Sequence, residues 1–498
     1  MIQVSDAFKK LMNSNIRPKA EPIIKLYSSI LPPESNDYIE VLQHTWNGNN
    51  IKDFSYKRAI DPVGRELPYM ELTWTEIYYG KLNSQGLTDE YENIIKFMPV
   101  DLSFVQRLDF FNTWETEYDS KKTWDDLYEN NETWESLYES APTEEIKMPR
   151  MYLEAKPVIN GLTITWKAHD LLYYCDLRQY RGIGSDRNYT GLLQYPLRNL
   201  ILEQRALFTD SYPIWNSLTK TSNAINNNEL YNQLPRNDLI VIDGLTKDYL
   251  KNFANLANVF WTFKEDHAIL TKDFNHTDYV FSRKVIKENP HITAGINISS
   301  FQFKSYLIKF NGQQKTIKPY SAVIENLPKS RAFSYTFNYT LWNFDGLGAV
   351  NHYILAPEEE NMPDDSHAYY SRLDLAAGFG LGSIVIDVMD KVAKNNTIKL
   401  NFDGEPYIED NPINTYDNAT AEAKSRAEFL SRYFNKNNSS LEFEGLANVA
   451  LECGDVVGVE TNLYDENNNK ITKNAVIVNI EITYNGVLKQ KTIAHEVN

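Results

Sequence analysis

The residue types that carry most enzyme chemistry are present in this chain but are not spaced for it. Eight histidines stand at positions 44, 169, 267, 276, 291, 352, 367 and 495. None of them shows the short paired spacing that brings two imidazoles to one zinc ion. Cys175 and Cys453 are the only cysteines and lie 278 residues apart. That excludes a cysteine zinc site and a disulfide framework, and predicts two reduced, buried thiols. The sequence has no GxxxxGK[ST] loop to cradle phosphates, no HExxH helix and no GxSxG elbow. Gly378, Gly380 and Gly382 alternate with Phe379 and Leu381, but the third glycine misses the dinucleotide-binding offset, so the run reads as a loop or a close backbone approach. Pro363-Asp364-Asp365-Ser366-His367 offers oxygen ligands without the spacing of a calcium loop and reads as solvated chain. With 67 acidic residues, any pair chosen for glycoside hydrolysis would be arbitrary. The sequence therefore nominates no catalytic residue, no cofactor and no metal ligand, and the chain is read as a non-enzyme.

One motif remains. Thr113-Trp114, Thr123-Trp124 and Thr133-Trp134 recur at ten-residue intervals, each followed at a fixed offset by Tyr118, Tyr128 and Tyr138. Ten residues fall about 80° short of three helical turns, so the tryptophans cannot form one helical stripe; repeated turns or single-turn helices fit better. The surrounding segment, 111–147, is rich in Asp and Glu. Either its tryptophans tuck back onto the neighbouring β-structure, or Trp114, Trp124, Trp134, Tyr118, Tyr128 and Tyr138 form a docking arm for another protein, since exposed Trp and Tyr are frequent interface anchors.

The elements that would position such groups are mostly strands. The chain has 498 residues, 42% hydrophobic and 23% charged, an ordinary globular composition that implies roughly three domains. Aromatic residues reach 13%, which suits strands and polar interfaces. A net charge of −17 excludes a bare nucleic-acid binder and an anionic membrane surface. No apolar run is long enough to span a bilayer, and the opening Met1-Ile2-Gln3-Val4-Ser5-Asp6 lacks the regions of a signal peptide. Ser5, Phe8 and Leu11 predict a short capped helix. Met70 to Tyr79 alternates, with Leu72, Trp74 and Ile77 or Tyr79 as its apolar side. Asn160-Gly161 and Asn485-Gly486 predict hairpin turns. Residues 216–237 read as loop from their Asn, Ser and Thr. Thr246–Asn258 and Thr420–Phe434 read as helices, the first with Tyr249, Phe253 and Leu256 or Ala257 inward, the second with Ala423, Ala427, Leu430 and Phe434.

The order of these motifs resembles the baseplate hub, or tail-associated, proteins at the distal end of phage tails and phage tail-like particles of Gram-positive bacteria. Val4-Ser5-Asp6-Ala7-Phe8, Leu67-Pro68, Trp166-Lys167-Ala168-His169-Asp170, the helix Tyr249 to Ala257 with its following hairpin, and Leu451-Glu452-Cys453-Gly454-Asp455-Val456-Val457 before Tyr484-Asn485-Gly486 carry the resemblance. It spans nearly the whole chain; the Trp repeat and residues 344–370 have no counterpart in it. It implies an α+β, mostly β protein with two tube-type β-barrels around a mixed α/β middle domain. The expected boundaries are 1–175 with the acidic insertion 111–147, 176–319 and 320–498. It implies a structural virion protein in the tail, assembled in the host cytoplasm. Its expected partners are itself (a trimer, with a hexamer as the alternative), the tail tube or distal tail protein, a tip or spike protein, and DNA passing transiently, without stable membrane insertion. The chain's end soon after the second barrel leaves no room for a fused hydrolase. An acidic channel wall, repelling DNA, is a further expectation. A tail-borne glycan-degrading hydrolase and a receptor- or carbohydrate-binding tail protein are the alternative readings.

Overall fold

The computed structural model describes residues 2–13, 20–30, 38–77, 96–108, 143–176, 179–180, 191–192, 197–198, 201, 212–226, 235–236, 244–295, 298–317, 384–399, 405–410, 419–431, 434 and 439–497. The amino-terminal part opens with α1 (Asp6–Met12) and continues through β1 (Ala20–Ile30), β2 (Ile39–Trp46), β3 (Ile51–Ala59), β4 (Glu71–Ile77), β5 (Pro99–Arg107), β6 (Thr143–Lys147), β7 (Met151–Leu153), β8 (Val158–Asn160) and β9 (Thr163–His169). α2 (Leu171–Asp176), the short strands β10 (Gln179–Tyr180) and β11 (Gly191–Leu192), and α3 (Tyr212–Asn226) follow. Next come β12 (Pro235–Arg236), β13 (Gly244–Leu245), α4 (Thr246–Leu256), β14 (Phe260–Lys264), β15 (His267–Thr271), β16 (Asn275–Phe281) and β17 (His291–Ala294). The carboxy-terminal part comprises β18 (Ile298–Ile317), β19 (Ile384–Lys399), β20 (Glu405–Asp410), α5 (Ala419–Ser431), β21 (Ser439–Leu446), β22 (Asp455–Tyr464), β23 (Lys470–Tyr484) and β24 (Leu488–Glu496). The described chain is mostly β, as the sequence predicted.

A single 15-stranded sheet dominates, with the order β17-β21-β24-β23-β3-β4-β9-β7-β5-β1-β2 and with β16-β22, β6 and β8 branching from it. Period-two burial explains its strands: Phe54, Tyr56 and Arg58 of β3, Leu72, Trp74 and Glu76 of β4, and Ile164, Trp166 and Ala168 of β9 point into the core. The sequence reading is corrected at β4. Glu76 is buried where Ile77 was expected, and Ile77 is 38% exposed. The amino-terminal strands curl so that Trp46 of β2 packs 5.2 Å from Trp74 of β4 and 5.1 Å from Trp166 of β9.

α1 begins as expected, with the Ser5 hydroxyl accepting from the Phe8 amide and Phe8, Leu11 and Met12 buried. α3 corrects the loop expected over 216–237. Pro213 stands in its first turn, and Ile214, Leu218, Thr221 and Ile225 bury one face. Ser217 pairs with the Tyr152 hydroxyl, Thr219 donates to the Trp215 carbonyl at 2.9 Å and Thr221 accepts from the Ala268 amide at 3.1 Å, while the buried Ser222 hydroxyl has no partner. In α4 the buried apolar residues are Leu250, Phe253 and Ala254, with Ala257 just beyond, and Asn252 and Asn255 are buried beside them; Phe253 and Ala257 were expected, Leu250 and Ala254 were not. In α5, Ala427 and Leu430 are buried as expected. Backbone pairing of β18 with β19 and β20 forms a separate three-stranded sheet.

Candidate functional site

The feature that organises the molecule is the seam where strands 426 residues apart in sequence meet. Antiparallel pairing runs from Asn479↔Ala59 to Tyr484↔Phe54. β23 is long enough to take two neighbours in series along one edge: β22 along its first half and β3 along its second. Where they abut, Gly454 donates to the Ile477 carbonyl at 2.8 Å and Ile60 to the Val478 carbonyl at 2.9 Å. Arg58, 3% exposed, reaches Glu452 at 3.1 Å across this point, and the Cys453 thiol meets the Arg58 carbonyl at 3.2 Å. Burial disfavours the Arg58 charge, but Tyr56 and Glu452 more than offset it and hold the guanidinium above its ordinary value. Burial pushes the Cys453 thiol up to about 12, so it packs as a thiol and has no nucleophilic role. Cys175 is likewise a buried free cysteine.

Next to the seam, both Glu76 oxygens are engaged: Trp46 donates its indole N–H at 2.6 Å and Trp166 at 2.9 Å. One buried carboxylate thus fixes β2, β4 and β9 together. His169 sits at the far end of β9, stacked 3.6 Å from Tyr173 and 3.2 Å from Glu154. Burial lowers its pKa, and its Nδ1 is buried without a partner. The His169–Glu154 pair has no serine or cysteine nucleophile bonded to it in the described structure, and Lys167 bridges Glu71 and Glu154 at 3.2 and 3.6 Å. The arrangement holds strands together. Asp170 is fully buried, accepting from the Met70 amide and from the Tyr173 amide at 2.9 Å. Burial pushes its carboxyl up to about 7. Among the described residues, no group of three or more His, Cys, Asp or Glu could hold a metal ion.

The loop between β3 and β4 ties this sheet to the rest of the chain. Asp61 builds it by accepting from Val63 and Gly64 at 3.0 Å and from Glu66 at 2.6 Å. Asn255 of α4 donates to the Gly64 carbonyl at 3.0 Å. Arg426 of α5 donates to the Val63 carbonyl at 2.8 Å while forking onto Glu409 at 2.9–3.2 Å. Beside the clamp lies a cavity of about 460 Å³ lined by Arg65, Asn252, Asn255 and Tyr407 among others.

The solvent face of the joined sheet carries Asp53, Ser55 and Lys57 from β3, Glu71, Thr73 and Thr75 from β4, Thr163, Thr165 and Lys167 from β9, Asn479, Glu481 and Thr483 from β23, and Lys489 and Lys491 from β24. On these five strands three carboxylates stand with four lysines, and Lys57–Glu481 at 3.7 Å and Lys167–Glu71 at 3.2 Å are paired; the neighbouring β21 adds Glu444 and Glu442, the latter paired with Lys491 at 2.5 Å. The outward positions of β3, β4, β9 and β23 are rich in hydroxyl side chains. Among the described strands, β2 pairs only with β1 and β17 only with β21, so the sheet presents an open edge at each end of its path.

The six residues singled out in the sequence, Trp114, Trp124, Trp134, Tyr118, Tyr128 and Tyr138, lie outside the described residues, as do 344–370 and Gly378 to Gly382. The anchors of the repeat are described. Arg107 ends β5 and Thr143 begins β6, and the two are cross-strand partners. The repeat is thus an insertion whose two ends meet. Of the seam residues, Glu452 lies in the Leu451–Val457 motif that carries the resemblance, whereas Arg58 and Glu76 carried no sequence signal beyond lying in strand-like runs.

No family model matches the sequence, and no curated protein matches it. Among solved structures, the chain is similar to the 43 kDa tail protein of prophage MuSo2 from Shewanella oneidensis, at 8% identity over 96% of this chain and 98% of that one, with a TM-score of 0.42. It is similar to a tail protein from Neisseria meningitidis MC58, at 7% identity over 96% of each chain, with a TM-score of 0.41. A Francisella PdpA-VgrG complex gives 8% identity over 97% of this chain and 53% of that one, with a TM-score of 0.37.

Proposed function

We propose that this chain is a structural hub of a phage tail or tail-like particle, joining the tail tube to the tip and lining a passage for DNA. The observation that carries the reading is the seam: amino- and carboxy-terminal strand sets merge edge to edge through β3 and β23 into one sheet. A chain built this way supplies two successive arcs of a wall. Among the described strands, the two ends of the sheet's main path, at β2 and β17, are a heterologous pair, and heterologous contacts close into rings when the rotation permits. Three chains would then supply six arcs, which the resemblance to tail hubs matches to a sixfold tube. A hexamer of the same chain is the alternative stoichiometry.

In this reading the units are 1–175, 176–319 and 320–498, with β16 and β17 lent by the middle unit to the carboxy-terminal sheet. The solvent face of the joined sheet lines the passage. Its short hydroxyl side chains and paired charges offer a polyanion few net cations to condense on, so DNA slides without being held. The Trp-Tyr insertion is a docking arm for a neighbouring tail component. Electron microscopy of the purified full-length protein tests the core of this: the expected particle is a closed ring with an axial channel wide enough for a duplex. A monomer with a deep acidic cleft would overturn it in favour of a hydrolase.

A further inference from the structure

The seam joins the two halves of the sheet along one line, through β3 and β23. Backbone pairing along a line fixes register but leaves the angle across it soft, because neighbouring strands pair over a wide range of twist. A second tie away from that line would fix the angle, and α1 makes one. Toward the amino-terminal half, its cap residue Ser5 gives both its amide and its hydroxyl to Glu144 of β6, at 2.9 and 2.5 Å, across 139 residues of sequence. β6 belongs to that half through its pairing with β5. Toward the carboxy-terminal half, the Ile2 amide donates to the Ala450 carbonyl at 2.9 Å. Phe8 and Met12 of α1 also share the walls of a cavity of about 380 Å³ with Asn275, Tyr279 and Asn448. Asn275 and Tyr279 lie on β16, which belongs to the second half through its parallel pairing with β22. None of these contacts uses β3 or β23.

α1 depends on these ties as much as it supplies them. It has seven residues, too few for a helix to be stable alone in water. Its stability comes from what it touches, and Phe8, Leu11 and Met12 are all buried. The cap is shared as well: the Ser5 hydroxyl accepts from the Phe8 amide at 3.2 Å while donating to Glu144. The start of the helix and the bond to β6 therefore hold or fail together. At its other anchor, Ala450 stands beside the turn that carries Glu452 and Cys453, both of which reach Arg58 of β3. The tie thus runs from the branch strand β6 of one half to the turn that leads into β22 of the other.

We infer that α1 is a brace that sets the angle between the two halves of the sheet. Resting on the hub reading, this is the angle between successive arcs of the wall, and it decides how many chains close a ring. The test reads the angle and the ring separately. Spin labels are placed by Val158→Cys and Tyr464→Cys, at positions 68% and 54% exposed and one in each half. The native Cys175 and Cys453 are buried and stay unlabelled. Glu144→Ala breaks the brace on one side, and Ile2→Pro breaks it on the other by removing the amide N–H; neither alters a seam strand. The full-length labelled chain is diluted into unlabelled chain, so that only distances within one chain are read. In each variant the distance distribution should broaden about twofold, as the seam takes up the range of twist open to paired strands. Hydrogen exchange over 54–59 and 479–484 should stay protected. An unchanged width in either variant would overturn the brace, and a change with Glu144→Ala alone would make that residue only a helix cap. Loss of protection at the seam would overturn it too, because α1 would then support the fold and not the angle. Electron microscopy reads closure: the wild type should give rings of one size, and the variants open arcs and rings of mixed size. Uniform rings from variants with broadened distances would overturn the link from angle to closure. A wild-type chain that forms no ring sinks the hub reading, while the distances still decide the brace.

Discussion

Replacing Gly64 by alanine probes the clamp that ties the sheet to the helices beside it. Gly64 has φ of +77°, and a Cβ built there would lie 1.7 Å from Asn255 Oδ1 and 2.6 Å from its Cγ. A non-glycine residue in this left-handed region costs roughly 1–2 kcal/mol. The carboxamide must also move, which breaks its 3.0 Å bond to the Gly64 carbonyl, a net loss of about 1 kcal/mol. Gly64→Ala should therefore destabilise by about 2–3 kcal/mol. Asn255→Ala alone loses only the hydrogen bond, about 1 kcal/mol. In the double variant the clash is gone and the bond can be lost only once. Its cost should fall below the sum of the single variants by about 1 kcal/mol, outside the scatter of independent sites. Urea denaturation of the full chain, with hydrogen exchange over residues 60–70 to localise the change, measures all three. Additivity within a few tenths of a kcal/mol would show that Asn255 does not occupy the space above Gly64.

Arg58→Ala should cost about 3 kcal/mol, because it removes a buried guanidinium from its ion pair with Glu452 and opens a buried gap; a loss under about 1 kcal/mol would mean that the seam does not depend on this pair. Asp170 has a folded pKa raised to about 7 from the ordinary 3.8. The folded state therefore binds more protons than the unfolded chain between those values, and this contribution to stability is complete below about pH 4 and lost as pH rises toward 7. Asp170→Asn should be less stable throughout, because one backbone donor loses its acceptor, yet show a flatter stability profile from pH 4 to 7; an unchanged slope in denaturation at stepped pH would refute the assignment. Replacing residues 109–142 by a short turn should leave the melting temperature within a few degrees, since Arg107 and Thr143 are already cross-strand partners. Loss of folding would instead mean that the tryptophans complete the core.

Individual strands were legible wherever alternation was clean, and less so wherever a polar group is buried with a partner far away in sequence. β4 shows the difference. Leu72 and Trp74 announce an inward face, but Glu76 continues it only because Trp46 and Trp166 bring two indole donors to its carboxylate. No local pattern encodes that. α3 was misread for the same reason, since its serines and threonines suggest loop until burial and back-bonding are known. The seam was not legible at all. Strand pairing between Phe54 and Tyr484 depends on which edge of β23 is left uncovered after β22 ends, and that follows from strand lengths in three dimensions. The turns were legible, because Asn160-Gly161 and Asn485-Gly486 need the positive φ that glycine supplies, +63° at Gly161 and +96° at Gly486.

The chain's acidity also takes on a different meaning once the sheet is known. A charge of −17 suggests a wall that repels DNA; on β3, β4, β9, β23 and β24 three outward carboxylates stand with four lysines, and β21 adds Glu442 and Glu444. Much of the excess lies in the insertion instead: residues 111–147 hold eleven Asp and Glu against three lysines, a net of −8. A wall and an arm make different demands on charge. A passage for a polyanion works best near neutrality, because net positive charge would retain the strand through counterion release and net negative charge would raise the barrier to entry. An arm that carries three tryptophans must instead avoid indiscriminate association, and a dense acidic background does so until a partner of opposite charge presents itself. On the docking-arm proposal, the partner of the insertion should therefore be basic.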